Sequence, residues 1–214
     1  MKSNPHSDIL SDPAVSRLSE YLLILEQYII EGVESVSSRE LAEAYGNNPN
    51  QVRQDVFQLK GSGRLGQGYS TVQLAKAIRD ALGLGTTKKK ICILGAGNLG
   101  HALAAHVPFI DYGMQLVAVF DVEPSVIGSK INGITIQHMD EIPTVVKDKD
   151  IAIAALCVPT TAAQHCADLL VDAGIKGILN YSRIRLKTPK EIAVKYQQVI
   201  CSFMQLSYSV SDHS

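Results

Sequence analysis

The sequence predicts an α/β chain in two parts: a small helical domain with a glycine-rich hairpin, then a doubly wound parallel sheet closed by a terminal helix. Three observations predict it. First, an apolar run, Ile91-Cys92-Ile93-Leu94, feeds the turn Gly95-Ala96-Gly97-Asn98-Leu99-Gly100, and a second run, Val117-Ala118-Val119-Phe120, ends in Asp121, 21 residues beyond Gly100. Second, short apolar strands alternate with helical patterns after Asp121, as parallel strands with crossover helices do. Third, roughly 85 residues precede the glycine turn and carry only short helical patterns.

Leu18, Leu22, Leu25 and Ile29 recur at helical spacing and predict an amphipathic helix over 14–31, stopping near Gly32. Ser37-Ser38-Arg39-Glu40 has the form of a capping box and opens a short helix through Leu41 and Ala44 to Gly46. Asn47-Asn48-Pro49 is a turn, with Pro49 suited to a first helical position. The third helix carries Val52, Val56 and Leu59 on one face and leaves Gln51, Arg53, Gln54 and Gln58 free on the other. Helix, tight turn and helix with an exposed Gln/Arg face is the pattern of a helix-turn-helix. The rival reading is a small helical dimerisation module with ordinary solvated charges.

Lys60-Gly61-Ser62-Gly63-Arg64-Leu65-Gly66-Gln67-Gly68-Tyr69 follows as a hairpin wing, with Lys60 and Arg64 available to phosphates. A last helix over 71–82 ends at Gly83, and 86–90 reads as a linker. The expected domains are therefore a winged helix at 1–85, a Rossmann-like domain at 91–197, and a terminal helix and tail at 198–214.

Each glycine of the turn has a physical task. Gly95 permits the tight turn, Gly97 lets backbone approach a pyrophosphate, and Gly100 lets the next helix pack closely on the sheet. That helix presents its N-terminal N–H groups to the phosphates. Asp121 accepts hydrogen bonds from ribose hydroxyls and repels a 2′-phosphate, which favours NAD(H) over NADP(H). A glycine turn serving helix–sheet packing alone, or another nucleotide-like ligand, is the alternative. Beyond Asp121, strands are expected at 134–136, 151–158 and 177–180, with helices at 140–147 and 160–173. Ligands of such sheets sit beyond the carboxyl ends of the strands. Val158-Pro159-Thr160 and Asn180-Tyr181-Ser182 therefore either face the nicotinamide half or simply end their strands. Val199, Phe203, Leu206 and Val210 give a terminal helix too apolar to stand in water, so it must pack on its own chain or on a partner.

Composition narrows the function. Hydrophobic residues at 46% and charged residues at 19% describe a globular chain, and a net charge of -1 leaves any nucleic-acid surface local. Cys92, Cys157, Cys166 and Cys201 stand singly in apolar stretches without C-x-x-C, so they read as core residues, with neither metal nor disulfide expected. No apolar run approaches the roughly 18 residues of a membrane span, and the first residues lack a signal-peptide core. A cytoplasmic location is expected. An oxidoreductase needs an acid or base beside the nicotinamide. No Y-x-x-x-K occurs, and His101, His106, His138 and His165 lie in or beside predicted helices without an evident carboxylate orienter. A binding module is expected rather than a catalyst, with no catalytic residue assigned.

With both halves in place, the chain resembles the Rex family of bacterial redox-sensing transcriptional repressors from about Leu18 to Tyr208. The residues carrying the resemblance are Val36-Ser37-Ser38, Leu41-Ala42, Gln51-Val52-Arg53, Asp55, Gly63, Gly66, Gly68-Tyr69, Gly95 through Gly100 and Phe120-Asp121. It continues through Val158-Pro159, Ala163-Gln164, Ala173 through Asn180, and Leu206. The resemblance implies a homodimer on an inverted-repeat operator in double-stranded DNA. It further implies NAD(H) in the second domain, a terminal helix swapped into the partner, and DNA release by NADH. The implied DNA contacts are Ser38, Gln51, Arg53, Gln54, Gln58, Lys60, Arg64 and Tyr69. The implied cofactor contacts are Gly95, Gly97, Asn98, Leu99, Gly100, Asp121, Val158, Pro159, Asn180 and Tyr181.

The chain also departs from the family. Gln54, Phe57 and Gln58 stand where the family commonly has Lys, Ser and Tyr, and Leu65 where it has a basic wing residue. Asn180-Tyr181-Ser182-Arg183 replaces an Asn-Phe-Ala-Pro run. Gln198 replaces an Asp of a polar network that differs between redox states. Weaker DNA binding and a smaller NADH/NAD⁺ contrast are expected.

Overall fold

A computed structural model describes residues 10–59, 68–85 and 87–211. By its internal contacts the chain divides into two units, Met1–Thr87 and Lys88–Ser214.

The first unit is helical. Helix α1 (Asp12–Ile30) is capped by Ser11 and buries Ala14, Leu18, Tyr21, Leu22 and Leu25. Ile29, expected on the same stripe, is 38% exposed at the helix end. Helix α2 (Ser38–Tyr45) opens with the expected capping box: Ser37 Oγ accepts the Glu40 N–H and Glu40 accepts the Ser37 N–H. Those bonds favour the ionised form and hold the Glu40 carboxyl below its usual range. Gly46 ends α2 in the left-handed conformation, and Asn48 caps α3 (Pro49–Phe57) with proline in its first turn. Strand β1 (Ser35–Val36) pairs antiparallel with β2 (Tyr69–Ser70), which leads into α4 (Thr71–Ala81). Most of the expected hairpin, 60–67, lies outside the described residues.

The second unit is a seven-stranded sheet. Strands β3 (Lys89–Leu94), β4 (Met114–Asp121), β5 (Lys130–Ile131), β6 (Ile134–His138), β7 (Ile153–Leu156), β8 (Gly177–Asn180) and β9 (Ala193–Tyr196) lie in the order β5-β6-β4-β3-β7-β8-β9. All neighbours are parallel except β5–β6. Omitting β5, this is the doubly wound order in which β3 and β7 flank the reversal of winding. The core alternates with the strand period. Cys92, Leu94, Ala118 and Phe120 pack with α6 (Ile142–Asp148) and α7 (Thr160–Asp172). Ile93 and Val119 form the other cluster with Ala104 of α5 (Asn98–His106).

Three expectations shift. The 86–90 linker is shorter, because Lys89 and Lys90 already pair with Met114 and Gln115 on β4. The 151–158 run contributes only β7 at its centre, and β5 and β9 lie where no strand was expected. Helix α8 (Val199–Ser209), expected to pack on its own chain or on a partner, has no buried residue. No helix among the described residues is long and apolar enough to cross a membrane.

Candidate functional sites

The glycine turn joins β3 to α5 beside the reversal of winding, tied on both flanks. The Gly95 N–H donates to the Phe120 carbonyl at 2.8 Å, and the Cys157 N–H donates to the Leu94 carbonyl at 2.8 Å. Gly95 has φ +93°, and a methyl group placed on it would lie 2.6 Å from the Cys157 carbonyl oxygen. A methyl group on Gly100 would lie 1.7 Å from the Gly95 oxygen. Both glycines are required by the fold. Gly97 is different: its φ is -63°, and a methyl group there meets nothing within 4 Å. Nothing in the chain demands glycine at 97, whereas a polyanion lying on the turn would.

Gly97, Asn98 and Leu99 face outward, and no side chain caps the N-terminus of α5. Its N–H groups and the positive end of the helix dipole suit a phosphate. The Asp121 carboxylate lies beside them at the end of β4. Oδ2 accepts the Ala96 N–H, while Oδ1 accepts the Val122 and Glu123 N–H groups at 2.7 and 2.9 Å. Ala96 was not among the expected site residues; its contribution is a backbone N–H, which a side-chain motif does not reveal.

Val158 completes the wall, its Cγ1 lying 3.3 Å from where a Gly95 methyl group would stand. Pro159 is exposed, and the Tyr181 N–H donates to the Leu156 carbonyl at 3.1 Å. Burial pushes the Cys157 thiol up to about 12 and raises the Tyr181 phenol. Asn180 does not present its side chain to a ligand. It is fully buried, and Oδ1 accepts from Ser182 N–H at 2.9 Å and Ser182 Oγ–H at 2.7 Å. Its Nδ2 donates to the Ile184 carbonyl at 3.0 Å. Asn180 therefore shapes the loop after β8 from within. A shallow cavity of about 640 Å³ lies elsewhere, lined by Ile134, Ile136, Glu141 and Lys149 among others and by no residue of the turn.

In the first unit, Asp55 fixes α3 against α1. This fully buried carboxylate accepts from Arg17 Nε at 2.6 Å, Arg17 Nη2 at 2.7 Å, Tyr21 Oη at 3.2 Å and Gln51 Nε2 at 3.1 Å. The bond to Asp55 raises the Arg17 guanidinium. Burial first, and the Asp55 charge second, push the Tyr21 phenol up to about 12. Gln51 and Arg53 are consequently not free, contrary to expectation. Gln51 belongs to the buried network. Arg53 stays exposed while Nη1 donates to Ser38 Oγ at 3.1 Å and Nη2 donates to Asn50 Oδ1. Gln54 and Gln58 are exposed, Gln58 Nε2 donating to the Gln54 carbonyl at 3.3 Å. Tyr69 is half-buried in β2; Lys60 and Arg64 lie outside the described residues. His138 has a carboxylate neighbour after all: Asp140 Oδ2 stands 3.2 Å from Nδ1, which also accepts the Asp140 N–H as a helix cap.

The two units match separate family models. Residues 9–56 match "Putative DNA-binding protein N-terminus", and residues 86–184 match "CoA binding domain". Over 198 residues the chain is 40% identical to a protein of Caldicellulosiruptor saccharolyticus named "Redox-sensing transcriptional repressor Rex", covering 92% of this chain and 90% of that one. Among solved structures it resembles RSP, a Rex-family repressor, in complex with NADH (TM-score 0.86, 34% identity, 94% of each chain). The complex of RSP with NAD⁺ and operator DNA matches with TM-score 0.86 and 35% identity, over 94% of this chain and 93% of that one.

Proposed function

The chain belongs to the Rex family of redox-sensing transcriptional repressors, and on that premise we propose how its residues divide the work. It is a DNA-binding repressor that takes NAD(H) on its Rossmann-like domain and answers to the NADH/NAD⁺ ratio. In our reading Gly97 admits the pyrophosphate, with Gly95 and Gly100 shaping the turn. The amides at Asn98 and Leu99 receive its charge, and Asp121 takes a ribose hydroxyl. Val158, Pro159 and Tyr181 line the nicotinamide half, while Asn180 sets the loop that carries Tyr181. The observation that carries this assignment is the open space over Gly97, which no other part of the chain explains. Asp121 also bears on the choice between dinucleotide and coenzyme A, since its carboxylate repels a ribose phosphate and accepts a ribose hydroxyl.

On the DNA side, Arg53 and Gln54 of α3 read bases, and Ser38 orients Arg53. Two copies of the chain, joined through α8, meet the two halves of an inverted repeat. The role in this reading is binding rather than turnover: no Y-x-x-x-K occurs in the sequence, and the similar proteins are named as repressors. NADH and NAD⁺ titrated separately into the protein bound to DNA from upstream of its own coding sequence test the whole reading. Release by NADH and not by NAD⁺ is expected. Full retention of DNA at saturating NADH would remove the redox response, and oxidation of NADH with an added carbonyl substrate would restore an enzymatic one.

A further inference from the structure

Helix α3 exposes Asn50, Arg53, Gln54 and Phe57, a stripe at i, i+3, i+4 and i+7 along one face. Its opposite face buries Val52 and Val56 almost completely. The stripe is polar and ordered at its N-terminal end, where Ser38 and Asn50 hold the Arg53 guanidinium. At its other end Phe57 is 83% exposed. A benzyl group in water forgoes the stabilisation that the same helix gains at Val52 and Val56. Along α3 the ring is flanked by Gln54 and Gln58, both exposed, so among the described residues of this helix face it is a single apolar group between polar ones. Such a spot matches a single small apolar group better than an extended protein interface, which needs a contiguous patch.

We propose that Phe57 is a base-reading residue that packs its ring against the 5-methyl group of a thymine in the major groove. This rests on the DNA-binding reading of the first unit. The groove floor carries donors and acceptors throughout, and the thymine methyl is its distinctive apolar feature. Phe57 has no hydrogen-bond donor for a phosphate, which leaves that methyl group as its partner. Gln54, one helical turn earlier, has the amide that pairs with adenine N6 and N7. Arg53 has the fork that pairs with guanine.

The test uses a duplex recovered by the full-length protein from a randomised pool, with its thymines replaced one at a time by uracil, which removes only the methyl group. At one thymine in each half-site the wild type is expected to lose roughly fourfold in affinity, the worth of one buried methyl group. Phe57→Ala binds the thymine duplex more weakly and shows no further loss at that position, whereas Phe57→Leu retains part of the discrimination. Equal losses in wild type and Phe57→Ala would overturn the proposal, because another group would then read the methyl. So would a wild type that binds DNA yet ignores every uracil, or a Phe57→Ala protein that sediments as a monomer. A wild type that recovers no duplex at all would instead bring down the DNA-binding reading, and the inference with it. Far-UV circular dichroism checks that the variants fold.

Discussion

Gly97 and Gly100 stand three residues apart in one turn for different reasons, and substitution separates them. Threonine is a favoured helix-capping residue, and the φ of -63° and ψ of -175° at Gly97 suit one. Gly97→Thr should therefore leave the thermal midpoint unchanged or slightly raised while abolishing NADH binding in calorimetry. Gly100→Ala sets a methyl group 1.7 Å from the Gly95 oxygen. It should cost about 1–3 kcal/mol or more of stability, as overpacking does, measured by urea denaturation. If Gly97→Thr binds NADH as wild type does, the pyrophosphate does not lie on the turn. Asp121→Ala removes a charged acceptor worth about 1.5–3 kcal/mol, so NADH affinity should fall roughly ten- to a hundredfold. The discrimination against NADPH should shrink with it. The turn is legible in the sequence because its glycines are local, and Asp121 because one strand–helix–strand unit fixes its distance from them. Asn180 and Arg53 are not: their partners, Ile184 and Ser38, are set by loop shape and tertiary contact.

Among the elements, the capped helices declare themselves in the sequence, since Ser37, Glu40, Gly46 and Pro49 act within a turn or two. The edge strands do not. β9 alternates exposed and half-buried residues and joins the sheet through backbone bonds to β8, so its side chains carry little signal. The Asp55 network escapes for a similar reason, since Arg17 is 38 residues away in sequence. Arg17→Met would leave Asp55 buried with only Tyr21 and Gln51 as donors. Breaking a buried pair costs about 3–5 kcal/mol; with Arg17 20% exposed, the lower figure applies. The loss should appear as early unfolding of the N-terminal helices, while NADH affinity is retained. A variant as stable as wild type would show that α3 is held by its apolar face alone. Tyr21 adds a pH dependence. Its phenol rises from 10.0 to about 12 on folding, so the folded state binds the proton more tightly. That contribution is complete below about pH 10 and is lost as pH rises through about 12. Tyr21→Phe should flatten the alkaline limb of the stability curve.

At the scale of the whole molecule, α8 is the element without a home. Phe203, Leu206 and Val210 are 63%, 61% and 78% exposed, and the helix has only 11 residues. Helices shorter than about 12–15 residues are marginal alone in water, so α8 needs a second surface, and in the proposed dimer that surface is a partner copy. Phe203→Glu with Leu206→Glu should turn a dimer into a monomer in sedimentation analysis. The start of α8 is also tied to the loop after β8, which in the proposed reading lines the nicotinamide half. Gln198 Nε2 donates to the Ser182 carbonyl at 2.6 Å, and Ser182 is bound in turn by Asn180 at the end of β8. A ligand touching that loop can bias the dimer only by preferring one packing over the other. Moving the dimer from 99:1 to 1:99 requires about 5.5 kcal/mol of preference. A neutral hydrogen bond is worth about 0.5–1.5 kcal/mol, so the Gln198 link carries a minor share and release by NADH should be incomplete. Gln198→Ala should keep NADH affinity but release still less DNA at saturating NADH, read by fluorescence anisotropy of a labelled operator duplex. Identical release curves for wild type and variant would show that the coupling reaches α8 by another route.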